Sequence, residues 1–328
     1  PINCGKNISI KHRLADFEHI SVLAEEVVDF APQTTQTILD CTLGGGGHSR
    51  RLLEKFPEAN LYGIDRDAKA LSASVDGLKN YKGQIRLEQA SFSELPERFA
   101  NWGVPQFDYI LADIGLSSEQ LARPKRGFSF MHEGPLDMRM DPDRQHLTAA
   151  DLVNKSSEHE LLKILRAYGE ERFARKIVST ILAEREKKLF ETTKELADMV
   201  SDVIPRRFQK PGFNPATLTF QALRIAVNDE LNELGALLKE APSLFKQDGR
   251  LAIISFHSLE DRMVKHQFRK WENPCVCPTN LPYCICGEKP LGRVLTRRPV
   301  NASAKEAAEN PRSRSAHLRV FSFSEITS

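Results

Sequence analysis

No apolar stretch in this 328-residue chain approaches the roughly 20 residues that a membrane-spanning helix needs, and none reads as a secretory signal. A cytoplasmic protein with no membrane partner is therefore expected. Cysteine is sparse, six in all, and in a reducing compartment so few argue against a disulfide framework. Net charge is nearly absent: 46 Lys and Arg stand against 44 Asp and Glu, so the total carries no footprint for nucleic acid. Local runs differ, at Arg123-Pro-Lys125-Arg126, Arg206-Arg207, Arg297-Arg298 and Arg312-Ser-Arg314. Clustered cations hold phosphates even on a neutral protein, although any one run taken alone is more ordinarily a solvated surface. What is present is a globular composition, 41% hydrophobic and 27% charged, in a chain long enough for a core domain and a second one.

Strand-like and helix-like segments alternate through the first third. Thr37-Ile-Leu-Asp40, Leu61–Asp65, Ile85–Glu88 and Phe107–Asp113 read as strands, with helical patterns at 16–31, 49–55 and 68–78. This order predicts a parallel sheet wound in βαβ units. From about 119 to 216 no convincing strand appears. A Gly-, Pro- and charge-rich stretch leads into helices with legible starts, Ser157 with Glu160 and Thr192 with Glu195 at capping-box spacing. From Thr217 one apolar stripe runs through Phe220, Leu223, Val227, Leu231, Leu234 and Leu238, and Arg250–Phe256 reads as a buried strand. Late strands at 293–297 and 318–323 would pair at the sheet edge. The expected fold is α/β, a Rossmann-like core with an inserted all-helical domain: core 1–118, helical insertion 119–216, core 217–328.

Between the first strand and its helix lies Gly44-Gly45-Gly46-Gly47-His48, and Asp65 ends the next strand. Glycines allow close backbone approach, a helix start offers free N–H groups, and an acidic strand end accepts hydrogen bonds from ribose hydroxyls. The dinucleotide fingerprint requires a third small residue, but Ser49 or Arg50 stands there in either register, so a nicotinamide dehydrogenase fails. S-adenosylmethionine, which has no pyrophosphate, needs no such fit, and Asp40 suits its ammonium group unless it merely caps a turn. Phe92 can cover an adenine face or belong to the core. Asp113 ends the fourth strand beside the expected ligand crevice.

Several blocks together are more specific than the loop. Asp40-Cys-Thr-Leu-Gly-Gly-Gly-Gly-His48, Tyr62-Gly-Ile-Asp65, Asp113-Ile-Gly-Leu-Ser-Ser118-Glu-Gln120, Arg126-Gly-Phe-Ser-Phe130, Gly134–Asp141, Thr219–Arg224, Ser255–Arg262 and Asn310–Ala316 resemble the bacterial ribosomal RNA small subunit methyltransferase H family, also called MraW. The resemblance runs from about His19 to Arg319. It implies transfer of a methyl group from S-adenosylmethionine to the exocyclic N4 of a cytidine in 16S rRNA, position 1402 in the usual rRNA numbering. It also implies Gly46, Gly47, His48, Asp65, Phe92, Asp113 and Gln120 as cofactor residues. The small ribosomal subunit is then the partner; a homodimer is compatible with the sequence, which does not choose between one copy and two.

An exocyclic amino group is a poor nucleophile until a neighbouring acceptor localises its lone pair. Asp113, then Ser117 or Ser118, are the catalytic candidates, the serines equally able to cap the following turn. A base in structured RNA must be splayed out to react. Phe128 and Phe130 beside Arg126 suit stacking and phosphate contact, or form a small core under the loop. His257 binds the target base or caps the helix that begins there. Cys275-Val-Cys277 and Cys284-Ile-Cys286 would supply four thiolates for zinc, but C-x-C is a tight bite for a tetrahedral site, and no metal residue is assigned. Two rivals remain, an N4-cytosine methyltransferase acting on DNA and a non-catalytic RNA-binding ribosome assembly factor.

Overall fold

Short β-branched and aromatic runs ending in a carboxylate form the strands. They are β1 (Thr37–Asp40), β2 (Asn60–Asp65), β3 (Ile85–Gln89), β4 (Phe107–Asp113), β5 (Phe245–Ser255), β6 (Gly292–Val294) and β7 (His317–Phe323). The computed structural model describes residues 21–324 other than 82, 105, 118, 119, 122, 210, 279–282 and 284. One sheet holds all seven strands in the order β3-β2-β1-β4-β5-β7-β6. The first five in that order are parallel; β7 is antiparallel to β5, and β6 to β7.

Side chains alternate across each strand, so each face carries its own core. Ile38, Leu61, Tyr109, Leu111 and Ile254 pack with α1 (Ala24–Asp29), α2 (Gly47–Lys55) and α3 (Ala68–Leu78). Leu39, Tyr62, Ile110, Ala112 and Ile253 pack with α4 (Leu95–Trp102) and the helices Glu230–Leu244 and Ser258–Glu272. A parallel sheet needs both faces covered, and this one has them.

Between β4 and residue 217, the described residues contain helices and one isolated bridge, Pro135 to Thr192. The boxes at Ser157/Glu160 and Thr192/Glu195 form as their spacing predicts. The expected long stripe from Thr217 does not run through one helix. Asp229, at φ +52°, ends Thr217–Asn228 and starts Glu230–Leu244. Phe220, Leu223 and Val227 then join the core of the helical insertion, while Leu234 and Leu238 join the sheet. Spacings of three and four look the same in one helix or two, and Asp229 is no glycine, so the sequence conceals the break.

Candidate active site

β1 is hydrogen-bonded to both β2 and β4, and chain order reverses there. In open α/β sheets ligands bind outside the carboxyl ends at such a point. The glycine loop turns over it: Gly46, at φ +75°, is the residue before α2, where a side chain would be strained and a Cβ would come within 3.3 Å of Ser74. A cleft of about 1070 Å³, counted to its open mouth, lies above the loop.

Seven of the expected residues line this cleft: Gly47, His48, Asp65, Phe92, Asp113, Ser117 and Gln120. Asp65 accepts the N–H groups of Gly44 and Asp67, each at 2.8 Å. Burial pushes its pKa to about 6 despite those two bonds. Phe92 sits in a turn clamped by Ser91 and Glu94 and is 9% exposed, part core and part cleft wall. Asp113 is anchored through its N–H to the Thr42 hydroxyl at 2.6 Å. Its Oδ2 lies 3.4 Å from His48 Nε2, an ion-pair distance without the alignment of a hydrogen bond. Burial pulls the His48 pKa down, but the Asp113 carboxylate, helped by Asp40 and Glu306, raises it on balance. Both His48 ring nitrogens and Asp113 Oδ1 are buried with no hydrogen-bond partner. Buried polar atoms are nearly always partnered, so three such atoms on one cleft wall mark where a polar ligand belongs.

Several expectations change. Asp40 does not face the cleft. It is 1% exposed and accepts from the Ser49 hydroxyl at 2.6 Å and the Thr42 N–H at 3.1 Å. It braces the loop from below, and Ser49, which breaks the dinucleotide pattern, completes that brace. Gly46 shapes the turn rather than lining the cleft. Ser117 and Gln120 cap each other, N–H to side-chain oxygen in both directions at 3.0 and 3.1 Å. Ser118 lies outside the described residues.

The stretch read as an RNA contact is largely internal. Arg126 pairs with Asp67 at 2.7 Å and donates to the carbonyls of Arg139 and Met140, with 10% of its side chain exposed. Phe128 is 6% exposed and Phe130 packs edge-on against Phe220 at 5.0 Å, so both rings belong to the core of the helical insertion. Phe128 thus has no free face for a base, and Phe130 is half-buried with an edge taken by Phe220. His257 caps the helix Ser258–Glu272 by accepting from the Glu260 N–H, and its side chain is 8% exposed. It lies in a tight group with Glu230 and Glu260, of which only Glu230 reaches the cleft wall.

Two contributors were not assigned from sequence. Arg312 reaches the cleft from near the C-terminus and donates to the Leu116 carbonyl; burial lowers its pKa, and the nearby Asp113 partly offsets this. Its signal was present in the Asn310–Ala316 block, but as a surface-like cation run. Glu230 lines the cleft from the new helix after Asp229, and its carboxylate is held by Arg224 through two bonds of 2.9 Å.

The strand order, with a ligand-sized cleft at the β1/β4 reversal, defines a Rossmann-like methyltransferase core of class I. The MraW methylase family is matched over residues 16–324. Ribosomal RNA small subunit methyltransferase H of Trichlorobacter lovleyi is 48% identical over 308 residues, covering 93% of this chain and 98% of that one. Proteins of the same name from Pelobacter propionicus and Symbiobacterium thermophilum are 48% and 45% identical, covering 93% and 92% of this chain and 98% and 96% of their own. The chain belongs to the MraW methylase family. It is a methyltransferase, and the family implies S-adenosylmethionine as its methyl donor. The cleft fits that donor: Asp65 offers carboxylate acceptors for ribose hydroxyls, Phe92 an apolar wall, and the His48 nitrogens without hydrogen-bond partners suit the carboxylate of an amino-acid end. No described helix is long and apolar enough to cross a membrane.

Proposed function

We propose that this chain methylates the exocyclic N4 of a cytidine in small-subunit ribosomal RNA, position 1402 in the usual rRNA numbering, within the cytoplasm. The observation that carries the reading is the cleft wall where Asp113 Oδ1 is buried without a partner next to His48. S-adenosylmethionine, when bound, supplies an electrophilic sulfonium methyl. Asp65 holds the donor end of the cleft, and the glycine loop lets it approach the backbone closely. Asp113 Oδ1 accepts a hydrogen bond from the target amino group, which localises the nitrogen lone pair, and takes the proton as the new bond forms. His48 steadies the Asp113 charge, and Ser117 holds the turn that carries Gln120.

The RNA-facing surface lies further along the helical insertion than the Arg126 block. Phe208 is 37% exposed, with the guanidinium carbons of Arg172 and Arg207 at 4.7 and 4.9 Å from its ring centre. An exposed ring flanked by two cations suits stacking and phosphate contact together. Glu170, two residues before Arg172, accepts from Ser258 and Arg262 at the carboxyl end of β5, which sets this patch on the side of the sheet where the cleft opens. The helical insertion then extends to Asn228 rather than ending at 216, because its core includes Phe220, Leu223 and Val227.

The test is methyl transfer from labelled donor to small subunits lacking their own modification, read by nucleoside and oligonucleotide mass spectrometry. N4-methylcytidine in the decoding-region fragment is expected, with duplex DNA unlabelled. Label in the DNA, or on another atom of the rRNA, overturns the reading.

A further inference from the structure

None of the described residues between the helix Ser258–Glu272 and β6 lines the cleft. Its base is closed by Leu291 N–H donating to the Trp271 carbonyl at 2.9 Å and Val294 N–H donating to Glu272 Oε1 at 2.9 Å. Between those anchors, none of the described residues from 273 to 290 is buried. Val276, Tyr283 and Ile285 are 76%, 73% and 69% exposed. A stretch whose described residues are all at least partly exposed needs another source of order, and small domains without cores use metals or disulfides for it.

Three thiols converge there. The sulfurs of Cys275, Cys277 and Cys286 all lie within 4.8 Å of one another. Cys275 and Cys286, drawn from the two different C-x-C pairs, are 3.9 Å apart. Tetrahedral geometry with Zn–S bonds of about 2.3 Å places ligand sulfurs roughly 3.8 Å apart, whereas a disulfide needs about 2.05 Å. Cys275 and Cys286 thus come together across the two C-x-C pairs, and Cys277, two residues from Cys275, lies within 4.8 Å of both. The Ile285 N–H also donates to Cys277 Sγ at 3.4 Å, the kind of outer hydrogen bond that steadies a metal thiolate.

We infer that Cys275, Cys277 and Cys286 bind a zinc ion on the β6 side of the sheet. Thiolate donors in tetrahedral array select a soft or borderline cation, and zinc has no redox chemistry to expose at the surface. Each thiol gives up its proton to solvent as its sulfur binds, so affinity falls at acid pH. Cys284 lies outside the described residues, and the site rests on the other three.

Elemental analysis of the purified full chain, grown with zinc and handled without chelators, should find about one zinc per chain, as structural sites retain their metal. Replacement with cobalt(II) should give sulfur-to-cobalt charge-transfer bands of an intensity that requires three or more thiolates. That intensity separates this site from the buried Glu230, His257 and Glu260 group, which has no sulfur. Cys275→Ser and Cys286→Ser should each lower zinc content at least tenfold while donor affinity holds. Zinc retained in both variants, iron or copper in its place, a Cys275–Cys286 disulfide, or a zinc-free chain whose thiols all titrate would overturn the inference. Should both variants fail to fold, the cobalt spectrum of the unaltered chain decides alone.

Discussion

The donor cleft and the Arg126 block that follows it are both rich in charge and close in sequence, yet they spend their polar groups in opposite ways. The cleft leaves both His48 nitrogens and Asp113 Oδ1 buried without a hydrogen-bond partner, while Arg126 commits its two terminal nitrogens to Asp67 and two carbonyls, with only its Nε left over, and Arg139 pairs with Asp137. A cluster of unspent groups on a cleft wall marks where a ligand acts; a charge whose main bonds are already made marks scaffold. A motif can therefore define a family and still hold the fold rather than the substrate.

The sharpest way to break this contrast is at its two poles. Asp113→Ala should lower methyl transfer by about 10²–10⁴-fold, the usual weight of a positioned proton acceptor, with an unchanged thermal melt. Full activity in that variant would remove Asp113 from the mechanism. Arg126→Ala should act on stability instead, costing on the order of 3–5 kcal/mol because it strands the buried Asp67 carboxylate. Denaturant unfolding measures that loss. A variant as stable as the parent but with a raised KM for ribosomal subunits would return Arg126 to the RNA interface.

Asp65 sharpens the cleft side. Asp65→Asn should weaken donor binding by about tenfold, the worth of hydrogen bonds to a charged acceptor. Its pH dependence has a definite sign. Its folded pKa of about 6 lies above the ordinary 3.8, so the ligand-free fold keeps a proton that the unfolded chain has released. Stability without donor thus falls as pH rises from about 4 to 6. Donor affinity runs the other way, tightening as pH rises through 6, and calorimetric titrations should find that slope lost in Asp65→Asn. The smallest expected change is at the surface: Phe208→Ala should raise KM for subunits by the equivalent of about 1 kcal/mol, the low end for one base stack, and leave the melt alone. An unaltered KM would move the RNA surface elsewhere.

Legibility tracked how local each feature is. The strands Leu61–Asp65, Ile85–Glu88 and Phe107–Asp113 and the two capping boxes depend on neighbours within a few residues, and the structure has them within a residue or so. The helix break at Asp229 was hidden because its stripe keeps one period on both sides. Arg312 was read as surface because its burial comes from Leu116 and Asp113, some 200 residues away in sequence. Phe128 and Phe130 misled for the same reason: Phe220, which closes over Phe130, is far along the chain.

By itself the sequence determined the glycine turn, the acidic strand ends, the parallel winding and the rejection of a dinucleotide at Ser49, since each follows from contiguous residues and backbone sterics. Only the tertiary structure decided that Asp40 lies beneath the loop while Asp65 and Asp113 face the cleft, that Arg126 is a strut, and that thiols from two separate C-x-C pairs meet. Burial, and with it the difference between a ligand-facing charge and a structural one, is set by which distant segments pack together, and no local pattern records that.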